Sequence, residues 1–177
     1  MPPDTAARLA RLLGLGSVKL FDSASQLRDH DLLVRSEAAD RLSRAAAALR
    51  DLSARYREER IPSATREQPF PPAERMAALK RLEERTRALQ ELAAKLRSET
   101  LPPQDLVWER LRSASLQYDL MLEADLGLVE PCETCAEAAE ALALSDADAP
   151  QGLDALDQTL RAAARALVAR HSLLSPA

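Results

Sequence analysis

The chain has 177 residues, of which 46% are apolar and only 3% aromatic, and its net charge is −4. This length suits one domain with its own core. Strands draw on β-branched and aromatic side chains, so five valines and a single isoleucine leave a β-sheet almost nothing to be built from. The composition therefore excludes a substantial sheet and predicts a single all-α domain over residues 1–177, with a core of leucine and alanine.

Apolar periodicity predicts about five or six helices, of which the second is unusually long. A short helix over 4–13 begins with Asp4 as N-cap and ends at the glycines of 14–16, because glycine tolerates the left-handed C-cap conformation. The second helix runs over 25–60 and stops before Pro62. It is about 54 Å long at 1.5 Å per residue, whereas a compact chain of this length has a radius of gyration of about 16 Å. We therefore expect an elongated helical bundle.

A linker with four prolines, residues 61–72, joins the second helix to a third that ends near Ser98. Apolar side chains recur on both helices at alternating spacings of three and four, which is the pattern of a coiled-coil seam. The sequence thus predicts a long antiparallel coiled-coil-like hairpin over 25–98. The ring of Phe70, which lies between two prolines of the linker, is expected to dock onto the bundle; exposure for another chain is the alternative.

The seams of this hairpin are the predicted interface. Two helices alone, over part of their length, cannot bury both seams, so we expect another chain to cover the exposed apolar stripe. That chain is either a second copy or a different subunit. Trp108, the only tryptophan, is an equally good core anchor or interface hot spot. The predicted interface residues are Leu42, Leu49, Tyr56, Leu79, Leu82, Leu89, Leu96 and Trp108.

The rest of the chain, residues 104–174, is predicted to be an acidic helical part. A turn is expected at Gly127, and Pro131 is expected to begin a new helix. The first helix of this part is expected to be apolar over most of its circumference and therefore surrounded by others. The predicted helices are 104–126, 131–144 and 153–174, with a loop over 145–152.

Charge is divided unevenly along the sequence. Between residues 113 and 160 there are eleven acidic residues and no lysine or arginine, which leaves seventeen acidic and twenty-four basic residues elsewhere. We expect the two parts to pair within one fold, since charge of this kind usually tunes solubility and encounter rates. The alternative is an acidic surface that faces a basic partner.

Cys132 and Cys135 are the only cysteines and form a Cys-x-x-Cys pair near a predicted helix start. The positive end of a helix dipole favours a thiolate there, and this spacing is a redox motif in suitable surroundings. Three glutamates close by in the sequence oppose thiolate formation, however. Structural zinc needs four ligands, of which the pair supplies two. We favour two inert side chains on a helix face; a redox or regulatory thiol pair and a zinc site are the alternatives.

His30 and His171 are the only histidines. His171 lies on the apolar stripe of the last predicted helix and is expected in the core or at an interface, whereas His30 lies between two aspartates and is expected to be solvated. A zinc site at the cysteines could take His171 as its third ligand and His30 or a carboxylate as its fourth. The four glycines form no phosphate-binding loop, and no Glu-x-x-His pair offers a di-iron site. No catalytic residue, metal or cofactor is predicted.

These observations predict a non-enzymatic helical scaffold or assembly subunit that mediates protein–protein interaction through the coiled-coil-like seams. The expected partner is a protein, in a homo-oligomer or a heteromeric complex. The sequence has no basic patch with interleaved aromatic residues, which would indicate nucleic-acid binding. It also has no apolar stretch of about 18 residues, which membrane insertion requires. Two cysteines make no disulfide framework, which favours an intracellular, cytoplasmic location. The alternative function is a thiol-based redox or metal-responsive protein that uses Cys132 and Cys135.

Overall fold

The structure is a computed structural model that describes residues 3–16, 24–63, 66, 70–99, 115–149 and 151–174. The regular elements in these ranges are all helices, with no strand among them. The predicted all-α fold is therefore confirmed. The helices are α1 (Pro3–Leu12), α2 (Ala24–Arg60), α3 (Ala73–Ser98), α4 (Ser115–Ala141), α5 (Leu144–Asp148) and α6 (Asp154–Leu174).

The first three helices begin and end close to the predicted positions. Gly14 follows α1 with a φ of 66°, the left-handed conformation that glycine adopts without strain, so α1 ends where the sequence indicates. α2 is one uninterrupted helix of 37 residues, about 55 Å long at 1.5 Å per residue. It stops two residues before Pro62, and α3 begins immediately after Pro72.

α2, α3, α4 and α6 pack as a four-helix bundle. α2 contacts α3 and α4, while α6 contacts α4 and, more sparsely, α3, so α2 and α6 face each other diagonally. α2 and α3 run antiparallel, because Arg57 pairs with Glu83 near one end and Arg97 pairs with Asp40 towards the other. The predicted long antiparallel hairpin is therefore present.

The directions of α4 and α6 follow from pairs with this hairpin. Two side-chain pairs connect α2 with α4, and two connect α3 with α6; in each case the residue numbers rise together along both helices. α4 therefore runs parallel to α2, and α6 runs parallel to α3. Direction therefore alternates along the chain, as in an up-down-up-down bundle. The pairs are His30–Asp125 and Arg41–Glu133 for α2 and α4, and Arg85–Asp157 and Glu99–His171 for α3 and α6.

The seams predicted as an interface form the core of this bundle. Side chains of α4, α5 and α6 belong to the same apolar cluster as those of α2 and α3. The expectation that another chain must cover these stripes is therefore wrong for the seven residues that the structure describes, because the later helices cover them. Trp108 lies outside the described residues. The seven buried residues are Leu42, Leu49, Tyr56, Leu79, Leu82, Leu89 and Leu96.

α4 passes through the predicted break at Gly127 and Pro131 without ending. Proline cannot donate to the carbonyl four residues earlier, here that of Gly127, and its presence inside a helix costs about 3 kcal/mol. Leu128, Val129 and Cys132 around the proline are all buried. Burial of an apolar side chain is worth about 1.5–3 kcal/mol, so packing on both sides of Pro131 outweighs the lost hydrogen bond.

The predicted loop at 145–152 contains the short helix α5. Its first turn is capped by the Asp146 carboxylate, which accepts a hydrogen bond from the backbone N–H of Ala143 at 2.8 Å. Ala147 of α5 is buried in the core, and Tyr56 donates to the Asp148 carboxylate at 2.5 Å. Residues 145–152 have the composition of a loop but contain one helical turn. The cap by Asp146 and the hydrogen bond from Tyr56 of α2 stabilise this turn.

Replacement of Gly152 with alanine is expected to lower the free energy of unfolding by about 1–3 kcal/mol. A Cβ atom at Gly152 would lie 1.8 Å from the backbone oxygen of Asp146, so the chain after α5 must shift. Gly127→Ala is the matched control, because no atom lies within 4 Å of its added methyl group, and it should gain about 0.5–1 kcal/mol. Urea unfolding measures both values. Equal effects of the two substitutions would contradict the close approach at Gly152.

The acidic C-terminal part pairs with basic side chains of the same chain. The Glu133 carboxylate accepts from Arg41 at 2.5 Å and from Arg44 at 2.7 Å. The Asp157 carboxylate accepts from two nitrogens of Arg85, at 3.1 and 2.8 Å. Part of the acidic C-terminal charge therefore pairs within the fold, as expected.

Candidate functional site

Both cysteines lie in the core on one face of α4. Cys132 and Cys135 are fully buried and form no disulfide. Burial raises the pKa of the Cys132 thiol to about 12; the nearby Cys135 adds to this, and the positive charge of Arg41 only partly offsets it. Burial also raises the pKa of Cys135. These surroundings oppose thiolate formation, which redox chemistry and metal binding both require.

Native protein is therefore expected to resist thiol reagents. A colorimetric disulfide reagent at mildly alkaline pH should label neither Cys132 nor Cys135 on the timescale on which it labels a free peptide thiol. The same protein in urea should release two equivalents, which is the control for thiol integrity. Rapid labelling of both thiols without denaturant would contradict the buried placement.

The histidines lie in surroundings opposite to those expected. His30 is buried and pairs with Asp125, with its Nε2 atom 2.8 Å from a carboxylate oxygen. His171 is exposed at the end of α6 and its Nδ1 atom lies 2.7 Å from Glu99. The expectation of a solvated His30 is wrong. For His171, expected in the core or at an interface, the core position is wrong. Neither histidine approaches the cysteines as a metal site would require, since no group of three possible ligands occurs within the described residues.

His30 belongs to a cluster of buried charged side chains that was not predicted from the sequence. Asp125 is its centre and accepts hydrogen bonds from Arg170 Nε at 2.6 Å and, on its other oxygen, contacts His30. Arg170 Nη1 donates in turn to Asp31 at 2.7 Å. All of these side chains are at least nine-tenths buried. The charge cluster, as named here, comprises His30, Asp31, Arg35, Asp125 and Arg170.

Arg35 extends the charge cluster to the end of α3. Its guanidinium donates to Asp31 at 2.8 Å through Nε, and its Nη1 atom donates to the backbone oxygens of Leu96, at 3.1 Å, and Glu99. The last carbonyls of a helix have no partner within that helix, so a buried arginine satisfies them. α2, α3, α4 and α6 therefore meet at one polar layer.

Electrostatics keep this layer charged although it is buried. Burial by itself would raise the pKa of Asp125, but Arg170 and His30 outweigh it, so its pKa lies below the ordinary value. Burial alone would lower the pKa of Arg170, but Asp125 and Asp31 raise it. The Nη2 atom of Arg170 is buried and has no hydrogen-bond partner in the described part of the chain. Two carboxylates and two guanidinium groups balance each other, which fits a structural layer better than a reactive site.

The lowered pKa of Asp125 predicts a loss of stability in acid. A group whose pKa is lowered in the folded state contributes stability above its unfolded pKa, and loses it as the pH falls through the folded value. The difference in unfolding free energy between wild type and Asp125→Asn should therefore be largest near neutral pH and shrink in acid. Urea titrations at a series of pH values measure it. A difference that is independent of pH would show that Asp125 is not held charged by its neighbours.

A second candidate site lies on the surface at the end of the α2–α3 hairpin. An open groove of about 770 Å³ is bounded by the last turn of α2, the end of the linker and the first turns of α3. Its apolar wall consists of Ile61, Pro71, Met76 and Leu79. We call it the hairpin-end groove.

Apolar side chains beside this groove are left in water. Phe70, next to the lining residue Pro71, is 83% exposed, and Met76 is 44% exposed. The expectation that Phe70 docks onto the bundle is therefore wrong, and its alternative, an exposed ring, is what the structure shows. Single exposed apolar residues are ordinary, but two of them beside an open apolar groove are typical of a binding site.

A smaller groove of about 400 Å³ adjoins the first along α2 and α3. It shares Arg57, Glu83 and Arg87 with the hairpin-end groove, and its other lining residues are mostly polar. We call it the arginine groove. Its further lining residues are Arg50, Ser53, Ala54, Thr86 and Gln90. The sequence did not predict this groove, because the spacing of residues on one helix does not show which side faces a second helix.

Within the described ranges, no helix has an apolar stretch long enough to cross a bilayer. No protein-family model matches this chain, and comparisons with curated proteins and with solved structures find no similar protein.

Proposed function

We propose that this chain is a non-enzymatic interaction subunit that binds a protein partner at the end of the α2–α3 hairpin. One observation carries the proposal: the ring of Phe70 is 83% exposed, and the next residue in the chain, Pro71, lines the open hairpin-end groove. Burial of such a ring is worth about 1.5–3 kcal/mol, which a partner gains when it covers Phe70. The binding surface thus differs from the heptad seams, which the bundle uses for its own core.

The position of the groove supports this role. Most lining residues of the groove lie on two long helices, whereas Phe70 itself lies on the linker. Side chains on regular helices are held more rigidly than those on a loop. Large apolar anchors with a surrounding charged rim are the composition of protein interfaces, and Arg57, Lys80 and Arg87 supply such a rim. No arrangement in the described residues favours the thiol-based alternative.

Partner capture with matched surface variants tests the proposal. Immobilised wild-type protein and the double variant Phe70→Ser/Met76→Ser are compared for the proteins that each retains. Leu32→Ser is the control, because Leu32 is 56% exposed on α2 but lies outside the groove. We expect a partner that wild type and Leu32→Ser retain and that the double variant loses.

Light scattering on the same proteins distinguishes a foreign partner from a second copy. A homo-oligomer should dissociate in Phe70→Ser/Met76→Ser and persist in Leu32→Ser. Circular dichroism should show unchanged helix content in every variant, since the replaced side chains are exposed. Equal retention of all partners and equal mass for the three proteins would refute the hairpin-end groove as the binding surface.

A further inference from the structure

The two adjoining grooves form one continuous track along the hairpin. They share three lining residues, so a ligand that fills the hairpin-end groove can continue directly into the arginine groove. The track is apolar at Ile61 and Met76 and polar from Arg87 to Arg50. Within the described ranges, its lining residues belong to α2, α3 and the linker between them. A ligand that matches the track has an apolar end and a polar end.

Positive charge along the polar part of the track is not neutralised by the chain itself. Arg57 is paired with Glu83 at 2.9 Å. Arg50 and Arg87 line the groove, are exposed, and have no ion pair among the described residues. Two uncompensated guanidinium groups on one groove favour carboxylates, which arginine binds with two parallel hydrogen bonds.

The floor of the arginine groove is shaped for close contact rather than for hydrogen bonding. Ser53, Ala54 and Thr86 are small, so the backbone of a ligand can approach the two helices closely. The Ser53 hydroxyl already donates to the Leu49 carbonyl at 2.7 Å, and that of Thr86 donates to Leu82 at 2.9 Å. These groups therefore do not require polar partners from the ligand.

The length of the track indicates the form of the ligand. From Arg50 to the last residue of α2, Arg60, the helix axis advances about 15 Å, which equals about three helical turns. A groove between two antiparallel helices accommodates the ridge of a third helix, and binding of an amphipathic helix in a groove is a common recognition mode.

We infer that the partner at this site contributes an amphipathic helix of about three turns, with apolar residues at the hairpin-end groove and acidic residues facing Arg50 and Arg87. This inference rests on the proposed function and specifies the chemistry of its partner. The long-range attraction between such a helix and the arginines also speeds association at low salt.

Two matched peptides test the inference. Both are stapled, fluorescently labelled helices of about three turns with the same leucine face. Glutamate occupies the polar positions of one and lysine those of the other. Fluorescence anisotropy with the full-length chain should show that the acidic peptide binds about tenfold or more tightly than the basic one, and that added salt weakens its binding.

Charge-reversal variants locate the site. Arg50→Glu/Arg87→Glu should weaken the acidic peptide about tenfold or more and favour the basic one. Arg161→Glu/Arg165→Glu is the control, because it changes the net charge equally at exposed arginines of α6 that line neither groove. It should alter affinity by less than about threefold, because charges beyond a Debye length are screened.

The outcomes separate the inference from the proposed function. If neither peptide binds, if the basic peptide binds as well as the acidic one, or if Arg50→Glu/Arg87→Glu has no effect, the inference is overturned. A captured partner that is lost on Phe70→Ser/Met76→Ser but retained by the arginine variant supports the proposed function and overturns the inference. If a single-stranded DNA of similar length binds as tightly as the acidic peptide, the inference is also overturned, and the ligand is a nucleic acid instead of a helix.

Discussion

Replacement of Asp125 with alanine is expected to lower the free energy of unfolding by about 3–5 kcal/mol, because it leaves a buried charge without its partner. Arg170 would keep only Asp31 as an acidic neighbour, and His30 would lose its carboxylate. The site is fully buried, so water cannot replace the lost carboxylate without disturbing the packing of four helices. Urea unfolding followed by circular dichroism at neutral pH measures the loss.

A surface ion pair gives the matched control for this substitution. Asp40 pairs with Arg97 at 2.8 Å, but both side chains are about half exposed, so Asp40→Ala should cost no more than about 1 kcal/mol. Asp125→Leu/Arg170→Met removes both charges together and should recover a large part of the loss, since apolar side chains replace a buried pair at little cost. A loss of less than 1 kcal/mol for Asp125→Ala, equal to that of Asp40→Ala, would show that the charge cluster does not hold the bundle together.

The fold was predictable because its strongest signals are local. Leucine and alanine at spacings of three and four give α2, α3 and α6 whatever they pack against, and Gly14, Pro62 and Pro72 mark helix ends by backbone chemistry. The same local rules fail at Pro131, where tertiary packing outweighs a lost hydrogen bond. They fail again for the seams, because periodicity identifies the apolar face of a helix but not which helices cover it.

The charge cluster left a signal in the sequence that binary patterning passes over. The α2 seam through Ala38 and Leu42, extended backwards by three and then four residues, reaches Arg35 and Asp31. Both therefore occupy core positions of the seam. An acid four residues before a base forms an ion pair on a helix, and at core positions this pair faces the interior of the bundle. Their partner Asp125 is far along the chain. Only the tertiary structure shows that two helices place opposite charges in the same layer.

The choice between Arg170 and His171 illustrates the limit of such patterns. The α6 stripe through Leu167 continues either three or four residues later, at Arg170 or at His171. An imidazole is easier to bury than a guanidinium, which favours His171, but Arg170 is the buried residue because Asp31 and Asp125 compensate its charge. The hairpin-end groove is not predictable from such patterns for a similar reason, since residues of α2, the linker and α3 line it together.

Truncation of a seam leucine distinguishes a core from an interface between chains. Leu49→Ala is expected to lower the free energy of unfolding of the single chain by about 2–5 kcal/mol, because Leu49 is fully buried and its loss leaves a cavity between packed helices. Leu32→Ala removes the same atoms from an exposed position on the same helix and should change stability by less than about 0.5 kcal/mol. Urea unfolding of both variants gives the comparison.

Protein concentration is the decisive variable in this experiment. Mass action makes the stability of an obligate oligomer rise with protomer concentration, whereas a self-contained core unfolds at a concentration-independent midpoint. The buried seam predicts a constant midpoint for wild type and a lower, equally constant midpoint for Leu49→Ala. A midpoint that rises with concentration in wild type, together with a Leu49→Ala effect that vanishes at low concentration, would place Leu49 at an interface and contradict the bundle in which α4, α5 and α6 cover the hairpin.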